Sequence, residues 1–294
     1  MANDIKQEMY DDLFEFLKSR ADKKDNGKYY SNGIHCSSLD SCLRQVVMDY
    51  FKFPKKEHTM AQLLMFEIGN FVHRLVGDWA KSSGKFELDG EEEVLTEFLP
   101  GDISGKCDLN IKHRETGEKI LVDTKTAMPT AFEVYSQYLV KKAHEIQLNA
   151  YNYGLKGKGE EADNLMLTYF DRGGTNTPVY VDVAKMSDEE IEDIFIRYQK
   201  AIDNYKENKI MPPKIELTFS KNGNTIYAKK SWQCDYCDYC GVSCSGYPNI
   251  DRKKPTKVGR VVDTQFCIDA KFYEIQEEIS KQFVEAENTG LGIN

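Results

Sequence analysis

The segment KILVDTKTA, residues 119–127, constrains the fold more than any other part of the chain. Its apolar and β-branched residues predict a buried β-strand, in which alternate side chains share one face of the sheet. Asp123 and Lys125 therefore point the same way, while Val122 and Thr124 point into the packing on the other side. Because an unpaired buried charge is costly, both charged groups need partners there. The segment predicts a sheet strand that carries a polar site.

The apolar residues along the chain follow two periods, which assign segments to helix or strand. A helical period predicts helices at 3–20, 42–51, 59–84, 130–154, 187–208 and 265–287. An alternating pattern between turn residues predicts strands at 93–99, 103–112, 119–127, 164–170 and 178–183. The segment 214–229 predicts a hairpin around Asn222 and Gly223, and the helix at 59–84 is expected to be largely buried. This order predicts an α/β core with a helical cover on one side.

The composition is that of an ordinary soluble protein. Of the 294 residues, 40% are hydrophobic and 30% are charged, so a sizeable core can be buried. No apolar run is long enough to span a bilayer, and the N-terminus lacks the layout of a secretion signal, so we expect a cytoplasmic protein with no membrane partner. The net charge of −9 argues against a general polyanion binder, but a local basic groove with bound cations is compatible with a nucleic-acid enzyme.

Asp108 offers a second carboxylate to the polar site. It lies 15 residues before Asp123, in GDISGKCDLNI, the expected partner strand of a hairpin. Two carboxylates from adjacent strands can hold a hard divalent cation, which polarises a phosphoryl oxygen and lowers the pKa of its bound water. Lys125 beside the cation can orient that water and stabilise developing negative charge. The three residues predict a site for phosphodiester hydrolysis.

Two predicted helices offer further polar residues. His73 lies four residues after Gly69 in GNFVHRLVG, and a neutral imidazole can complete the ligands of a metal. Gly69, one turn earlier on the same face, would leave room for it. Gln147 and Tyr151 have the i, i+4 spacing of one helix face. Taken singly, His73 is more often a surface histidine, and the Gln–Tyr pair is more often a solvated helix face.

Together these residues resemble the RecB-like branch of the PD-(D/E)XK nuclease superfamily. The motifs G-x-x-x-H, G-x-x-D (with Gly105), D-x-K and Q-x-x-x-Y occur in that order within residues 36–244. The resemblance implies a restriction-endonuclease-like mixed β-sheet flanked by helices. It implies that Mg²⁺ or Mn²⁺ is bound by His73, Asp108, Asp123 and the backbone carbonyl of Thr124. The residues it assigns to catalysis or to contact with DNA are Lys125, Asp108, Asp123, Gln147 and Tyr151.

Four of the eight cysteines crowd together in SWQCDYCDYCGVSC, residues 231–244. In a reducing compartment, the spacing C-x2-C-x2-C-x3-C indicates a metal or a cluster and not disulfides. The residues alone allow either a self-contained zinc site or an iron–sulfur cluster.

The segment HCSSLDSCLRQVVMDYF resembles the four-cysteine RecB-like nucleases, which include the CRISPR-associated adaptation exonucleases and phage relatives. The resemblance implies a 4Fe-4S cluster that staples the termini of the domain. Its ligands are Cys42, Cys234, Cys237 and Cys244. The family has five residues before its last cysteine, whereas here Cys244 follows six and Cys240 follows two, so Cys240 is the alternative fourth ligand.

The resemblance also implies the domain organisation and the function. The domains are an N-terminal helix and loop at 1–35, the stapled nuclease domain at 36–250, and a basic stretch with a C-terminal helix at 251–294. The expected activity is that of a DNA exonuclease acting on single-stranded or end-containing DNA. The alternatives are a structure-dependent endonuclease and an inactive DNA-binding or assembly subunit, while a zinc-binding module would leave D-x-K and Q-x-x-x-Y unexplained. Candidate partners are recombination, repair or CRISPR-adaptation proteins and further copies of the chain.

Overall fold

The computed structural model groups the chain into two compact units. One comprises Met1–Asp40 and His58–Lys200, and the other comprises Ser41–Glu57 and Ala201–Asn294. The residues that the structure describes are 2–25, 33–88, 103–137, 139–213, 218–222, 225–229, 231–240, 242–244, 256–262 and 265–268. No helix in this described part of the chain combines the length and apolar character needed to cross a bilayer.

The described residues form both helices and strands. The helices are α1 (Ala2–Asp25), α2 (Leu43–Tyr50), α3 (Met60–Ser82), α4 (Pro129–Tyr135), α5 (Lys142–Gly157), α6 (Asp188–Asn208) and α7 (Trp232–Tyr236). The strands are β1 (Ile34–His35), β2 (Phe86–Leu88), β3 (Ile103–Ser104), β4 (Leu109–His113), β5 (Lys119–Ala127), β6 (Asn164–Asp171), β7 (Val179–Val183), β8 (Thr218–Asn222), β9 (Thr225–Lys229), β10 (Thr256–Val262) and β11 (Gln265–Ile268).

A five-stranded mixed sheet forms the centre of the first unit. Its order is β2-β4-β5-β6-β7, with β5 and β6 parallel and the other neighbours antiparallel. The strand with D-x-K, β5, is central, and its residues from Leu121 to Thr124 are buried because strands flank it and α3, α4 and α5 contact it. The mixed sheet with flanking helices confirms the predicted fold class.

Helix α3 is fixed at both ends by its sequence. At its start, Gln62 N–H donates to Thr59 Oγ1 at 3.3 Å and Thr59 N–H donates to Gln62 Oε1 at 2.8 Å. This capping box satisfies backbone donors that the first helical turn leaves without partners. Near the other end, Ala80 packs in the core with Leu109 and Val122. The contact lays α3 on the face of the sheet that carries Val122.

The expectation that α3 is largely buried is wrong. Within the helix, the fully buried residues are Leu63 and Ala80. Its exposed large apolar residues are Leu64, Met65, Phe66, Ile68, Phe71, Leu75 and Trp79. The apolar residues occupy more than one face of the helix, so packing against a single sheet cannot cover them all.

Two predicted elements of the first unit are interrupted. The single helix expected at 130–154 is divided into α4 and α5, and Tyr135 at the end of α4 stacks on Tyr169 of β6 with 4.3 Å between ring centroids. This tertiary contact outweighs the local helical pattern. The strand expected at 103–112 is divided into β3 and β4, because β3 pairs with β1 whereas β4 joins the main sheet. The strand expected at 93–99 lies outside the described residues.

The second unit contains an antiparallel sheet of order β11-β10-β9-β8. Asn222 of β8 pairs with Thr225 of β9, which confirms the predicted hairpin. Strands β10 and β11 form another antiparallel pair, with Val261 opposite Phe266. The helix predicted at 265–287 is therefore wrong at its start, where β-branched and aromatic residues favour the strand ladder. Its remainder, residues 269–287, lies outside the described part of the chain.

Candidate active site

The central strand β5 presents Asp123 and Lys125 on one face. The Lys125 ammonium lies 2.7 Å from Asp123 Oδ2, and Asp123 is only 2% exposed. Val122, on the opposite face, packs against Leu109 in the core. The burial of the strand thus forces the carboxylate into an ion pair, because burying it alone would be costly.

The loop at 105–108 brings a second carboxylate to β5. Asp108 comes directly before Leu109, which pairs with Val122 across the β4–β5 ladder. Asp108 Oδ2 accepts a hydrogen bond of 2.7 Å from the Thr124 N–H. The register of the ladder and this bond together place Asp108 beside the D-x-K segment.

His73 reaches the same point from α3. Its Nε2 lies 3.0 Å from the Thr124 carbonyl oxygen. A carbonyl oxygen can only accept, so Nε2 carries the proton in this arrangement. Its Nδ1 lies 3.3 Å from Asp108 Oδ1. His73, Asp108 and the Thr124 backbone therefore form one connected group of polar atoms.

A chain of hydrogen bonds runs from Lys125 into α5. Lys125 Nζ donates to Gln147 Oε1 at 2.8 Å, and Gln147 Nε2 donates to Tyr151 Oη at 2.6 Å. Gln147 and Tyr151 are 6% and 3% exposed, so the alternative reading of the pair as a solvated helix face is wrong. The i, i+4 spacing directs both side chains from α5 towards β5.

Close packing explains Gly105. A Cβ atom at this position would lie 2.4 Å from Tyr151 Cε1 and 2.7 Å from Cys36 Sγ, well inside van der Waals contact. Any side chain would push the loop, and Asp108 with it, away from Tyr151. Gly69 is different, because a Cβ there would lie 3.9 Å from its nearest neighbour, Thr126 Oγ1. The space expected at Gly69 therefore accommodates a methyl group.

Burial governs protonation in the site. Burial raises the pKa of Asp123 to about 6, an effect that the Lys125 ammonium opposes and the Asp108 carboxylate strengthens. Burial also raises the pKa of the Tyr151 hydroxyl well above its ordinary value, and the charge on Asp123 adds to this shift. Tyr151 is therefore a neutral hydrogen-bonding group at physiological pH.

The donor atoms of the site suit a hard divalent cation. Asp108 and Asp123 offer carboxylate oxygens and Thr124 offers a carbonyl. Asp123 Oδ2 is buried and, among the described residues, accepts no hydrogen bond of suitable direction, although the Lys125 ammonium is 2.7 Å away. No group of three or more His, Cys, Asp or Glu side chains within the described residues has metal-binding geometry. Here His73 and Asp108 are directed at each other and at Thr124. The donor atoms are therefore of the kind that binds a hard cation and lie close together, but they are not arranged around a common centre.

The site lies in a cleft of about 970 Å³. Lining residues that the motifs did not select include Phe16, Arg20, Glu67, Arg74 and Lys106. Arg74 and Lys106 directly follow the motif residues His73 and Gly105 in the sequence, so their place in the cleft could have been predicted from that adjacency. Nothing in the sequence connects α1, which carries Phe16 and Arg20, with this cleft.

The cysteines expected to bind a cluster lie together in the second unit. Cys42 is the N-cap residue of α2, Cys234 lies in α7, and Cys237 directly follows α7. Cys240 and Cys244 are paired by an isolated β-bridge. Burial raises the pKa of the Cys234 thiol to about 12, and part of this rise comes from Cys240, Cys42, Cys237 and Cys244. Each of these four cysteines therefore influences Cys234 electrostatically.

Hydrogen bonds connect the two sequence segments that carry these cysteines. Tyr239 Oη donates to Asp49 Oδ1 at 2.8 Å, and Ser243 Oγ donates to the Pro54 carbonyl at 2.7 Å. These residues are 190 and 189 positions apart in the chain. The second unit therefore brings Cys42 to the later cysteines through polar contacts of its own.

The sequence model of the PD-(D/E)XK nuclease superfamily matches residues 35–242, which is more than half of the chain. The chain belongs to this superfamily, as its motifs predicted. Among solved structures, it is similar to SSO0001, with 19% identity and a TM-score of 0.48, covering 78% of this chain and 96% of that one.

Two further solved structures are similar to the chain. LHK-Exo, an alkaline exonuclease from Laribacter hongkongensis solved with dAMP, shows 10% identity and a TM-score of 0.41 over 60% of this chain and 93% of that one. A phage-related exonuclease from Haemophilus somnus 129PT shows 16% identity and a TM-score of 0.37 over 60% and 94%. No curated protein sequence gives a match.

Proposed function

We propose that this chain is a divalent-metal-dependent nuclease that hydrolyses phosphodiester bonds in DNA. The observation that carries the proposal is the convergence of His73, Asp108 and the Asp123–Lys125 pair at one part of β5, within a single cleft. They come from a helix, a loop and a strand, so their meeting is a product of the fold. Membership of a nuclease superfamily supports the same class of reaction.

We propose that His73, Asp108, Asp123 and the Thr124 carbonyl hold Mg²⁺ or Mn²⁺. When bound, such an ion polarises the phosphoryl oxygen and lowers the pKa of a water molecule. An imidazole nitrogen coordinates a metal only when it carries no proton, so coordination through Nε2 would replace its hydrogen bond to Thr124, whereas coordination through Nδ1 would keep it. A nitrogen ligand among oxygens favours tolerance of Mn²⁺.

Lys125 is proposed to act on the attacking water and the phosphate. One of its three N–H donors is directed at Gln147, and the ammonium lies 2.7 Å from Asp123, which fixes it beside the carboxylates. A remaining donor is proposed to orient the water or to bind the phosphoryl oxygen as negative charge develops. The water gives up a proton to solvent as its oxygen forms the new bond to phosphorus, the bond from phosphorus to the leaving oxygen breaks, and that oxygen takes up a proton from solvent.

Gln147 and Tyr151 are proposed to position Lys125. The Gln147 amide oxygen accepts a hydrogen bond from Lys125, and the amide nitrogen donates one to Tyr151. Because both ends of the amide have a partner, its orientation is fixed. Tyr151 stays neutral because of its burial, so it serves as a fixed acceptor for Gln147. The pair therefore acts through Lys125 and not directly as acid or base.

We also propose that the second unit binds a 4Fe-4S cluster through Cys42, Cys234, Cys237 and either Cys244 or Cys240. The spacing of the later cysteines and the electrostatic influence of Cys42 on the Cys234 thiol support a shared centre, although no three of these thiols, all within the described residues, have metal-binding geometry. The backbone N–H groups of Tyr239 and Cys240 favour the thiolate form of Cys237 and so oppose the effect of its burial on its pKa. Burial raises the pKa of Cys237 to about 11, so this thiol is protonated without a bound centre and binding of a centre there releases its proton.

The proposed substrate is single-stranded DNA or DNA with a free end, on the basis of the resemblance to four-cysteine exonucleases. The test uses anaerobically purified protein with end-labelled linear DNA and closed circular DNA, in Mn²⁺, Mg²⁺ or EDTA. We expect digestion of linear DNA with either ion and none in EDTA. Digestion of circles would show an endonuclease, and no digestion of any substrate would show an inactive subunit.

A matched pair of lysines controls this experiment. Lys119 and Lys125 lie on the same face of β5, six residues and roughly 20 Å apart. Lys119→Ala removes the same charge from the same strand away from the site, and should cut at the parental rate. Lys125→Ala should not cut.

A further inference from the structure

The N-terminal helix α1 forms part of the wall of the catalytic cleft. It spans Ala2–Asp25, whereas the superfamily match begins at residue 35. Phe16, Ser19 and Arg20 nevertheless line the same cleft as the D-x-K segment. Helix α1 therefore supplies cleft residues that lie outside the region matched to the nuclease superfamily.

Helix α1 contacts α3 and is tied to it by an ion pair. Leu17 is 5% exposed, and the Arg20 guanidinium lies 2.9 Å from Glu67 Oε2 on α3. Asn70 Nδ2 donates to the other oxygen of the same carboxylate at 3.3 Å. These contacts give the cleft-lining face of α1 a defined position.

Phe16 presents an aromatic surface beside a fixed cation. It is 55% exposed, and the Arg20 guanidinium lies 5.8 Å from its ring centroid. Aromatic rings next to positive charge in a groove are the features by which proteins bind single strands, because a base stacks on the ring and the backbone pairs with the cation.

The charge of the cleft also suits a phosphate backbone. Its described lining contains four carboxylates and the basic residues Arg20, Arg74, Lys81, Lys106 and Lys125. Two of the four carboxylates, Asp108 and Asp123, are proposed metal ligands, so a bound cation would offset their charge. The remaining lining is then predominantly positive.

We propose that Phe16 and Arg20 bind single-stranded DNA in the catalytic cleft, Phe16 by stacking on a base and Arg20 by contacting an adjacent phosphate. The proposal rests on the proposed nuclease function and specifies its substrate. In a duplex the bases are paired and stacked, so presenting one to Phe16 requires unpairing it. Binding through Phe16 therefore selects single strands.

The test measures binding of dye-labelled oligothymidine, alone and as a duplex with oligoadenosine, to the full chain in EDTA by fluorescence anisotropy. Phe16→Ala should weaken single-strand binding about 5- to 150-fold, and Phe16→Trp should restore it. Arg20→Ala should reduce the slope of log affinity against log salt by about 0.7, as expected for one lost phosphate contact on a single strand. Duplex binding should change less in each case.

Two substitutions on the same helix serve as controls. Tyr10 is an exposed aromatic residue and Lys18 a basic residue, and neither is among the described residues that line the cleft. Tyr10→Ala and Lys18→Ala should bind oligothymidine as the parent does. Melting temperatures of all variants are measured alongside, and recovery by Phe16→Trp separates a lost ring from a disturbed helix.

The outcomes separate this proposal from the nuclease assignment. Parental binding by Phe16→Ala and Arg20→Ala would overturn the role of α1, while digestion of linear DNA by the parent would leave the nuclease function intact. Equal losses for the single strand and the duplex would also overturn the proposal. A parent protein that neither binds nor cuts DNA would overturn both.

Discussion

The Asp108 carboxylate accepts a hydrogen bond of 2.7 Å from the backbone N–H of Thr124. One side chain thereby attaches the loop at 105–108 to the central strand. The other carboxylate oxygen lies 3.3 Å from His73 Nδ1. Asp108 therefore combines a structural contact with a proposed metal-binding role, and two substitutions separate these properties.

Asp108→Asn keeps an acceptor for the Thr124 N–H but removes the negative charge. We expect a melting temperature near that of the parent, together with loss of cleavage and of Mn²⁺ affinity. Asp108→Ala leaves the N–H without that acceptor, which should cost about 1–3 kcal/mol of stability as well. Thermal unfolding and calorimetric titration with Mn²⁺ measure the two effects. Parental cleavage by Asp108→Asn would remove Asp108 from the metal site.

The buried carboxylate of Asp123 predicts how the stability of the metal-free protein depends on pH. Its pKa is raised from an ordinary 3.8 to about 6, so the folded state binds this proton more tightly than the unfolded chain does. The resulting contribution to stability is full below pH 3.8 and is lost as the pH rises through about 6. The free energy of unfolding should therefore fall over this range, by up to about 3 kcal/mol.

Asp123→Asn isolates this contribution, because the amide does not titrate. Urea unfolding in EDTA from pH 4 to 8 should show a steeper fall for the parent than for Asp123→Asn. Adding Mn²⁺ at pH 8 should stabilise the parent more than the variant, since a cation compensates the buried charge. Parallel pH profiles for the two proteins would contradict the prediction.

The two motif glycines should respond differently to alanine. Gly105→Ala places a methyl group 2.4 Å from Tyr151 and 2.7 Å from Cys36, so we expect about 1–3 kcal/mol of destabilisation and reduced cleavage. Gly69→Ala meets Thr126 at 3.9 Å within a helix, so it should be neutral or stabilising by up to about 1 kcal/mol. Thermal melts and the linear-DNA assay compare them. Equal effects would show that the packing around Gly105 does not explain its presence.

The cysteine proposal predicts which substitutions remove iron and sulfide. Cys42→Ala and Cys234→Ala should each abolish the visible absorption of anaerobically purified protein. Of Cys240→Ala and Cys244→Ala, the one that retains the absorption identifies the cysteine that is not a ligand. Cys107→Ala, a buried cysteine of the first unit, is the control and should retain it. If the parent protein were colourless and contained one zinc ion, the cysteines would form a zinc site and the cluster proposal would be wrong.

The central strand and its polar residues were predictable because their signals are local. A strand fixes which side chains share a face, so the placement of Asp123 with Lys125 follows from the spacing alone. The positions of Gln147 and Tyr151 on one helix face are predictable in the same way. Their burial depends on how α5 packs against β5, which no spacing encodes.

The parts that the sequence did not reveal depend on tertiary contacts. The division of the helix expected at 130–154 follows from the stacking of Tyr135 on a strand 34 residues away. The exposure of α3 depends on how many other elements pack against it, and the periodicity of its apolar residues does not give that number. The approach of Phe16 to the cleft is a third such case, since α1 carries no motif.

The final prediction concerns the ion pair between Lys125 and Asp123. Lys125→Met removes the charge but keeps an unbranched side chain, leaving Asp123 buried without its cation and Gln147 without its donor. Removing one partner of a buried ion pair typically costs about 3–5 kcal/mol. Because Lys125 lowers the pKa of Asp123, its loss should let the carboxylate hold a proton to higher pH, so the cost should be smallest in acid.

The double variant Lys125→Met/Asp123→Asn completes this test. With both charges gone, it should regain stability at pH 8 relative to Lys125→Met, giving a favourable coupling energy in a double-mutant cycle. Neither variant should cut DNA, but Lys125→Met should still bind Mn²⁺ because it keeps both carboxylates. Unfolding curves at pH 5 and pH 8, with Lys119→Ala as the charge control, measure the stability terms. If Lys125→Met cut linear DNA at the parental rate, D-x-K would not be the active site, whatever the stability measurements gave.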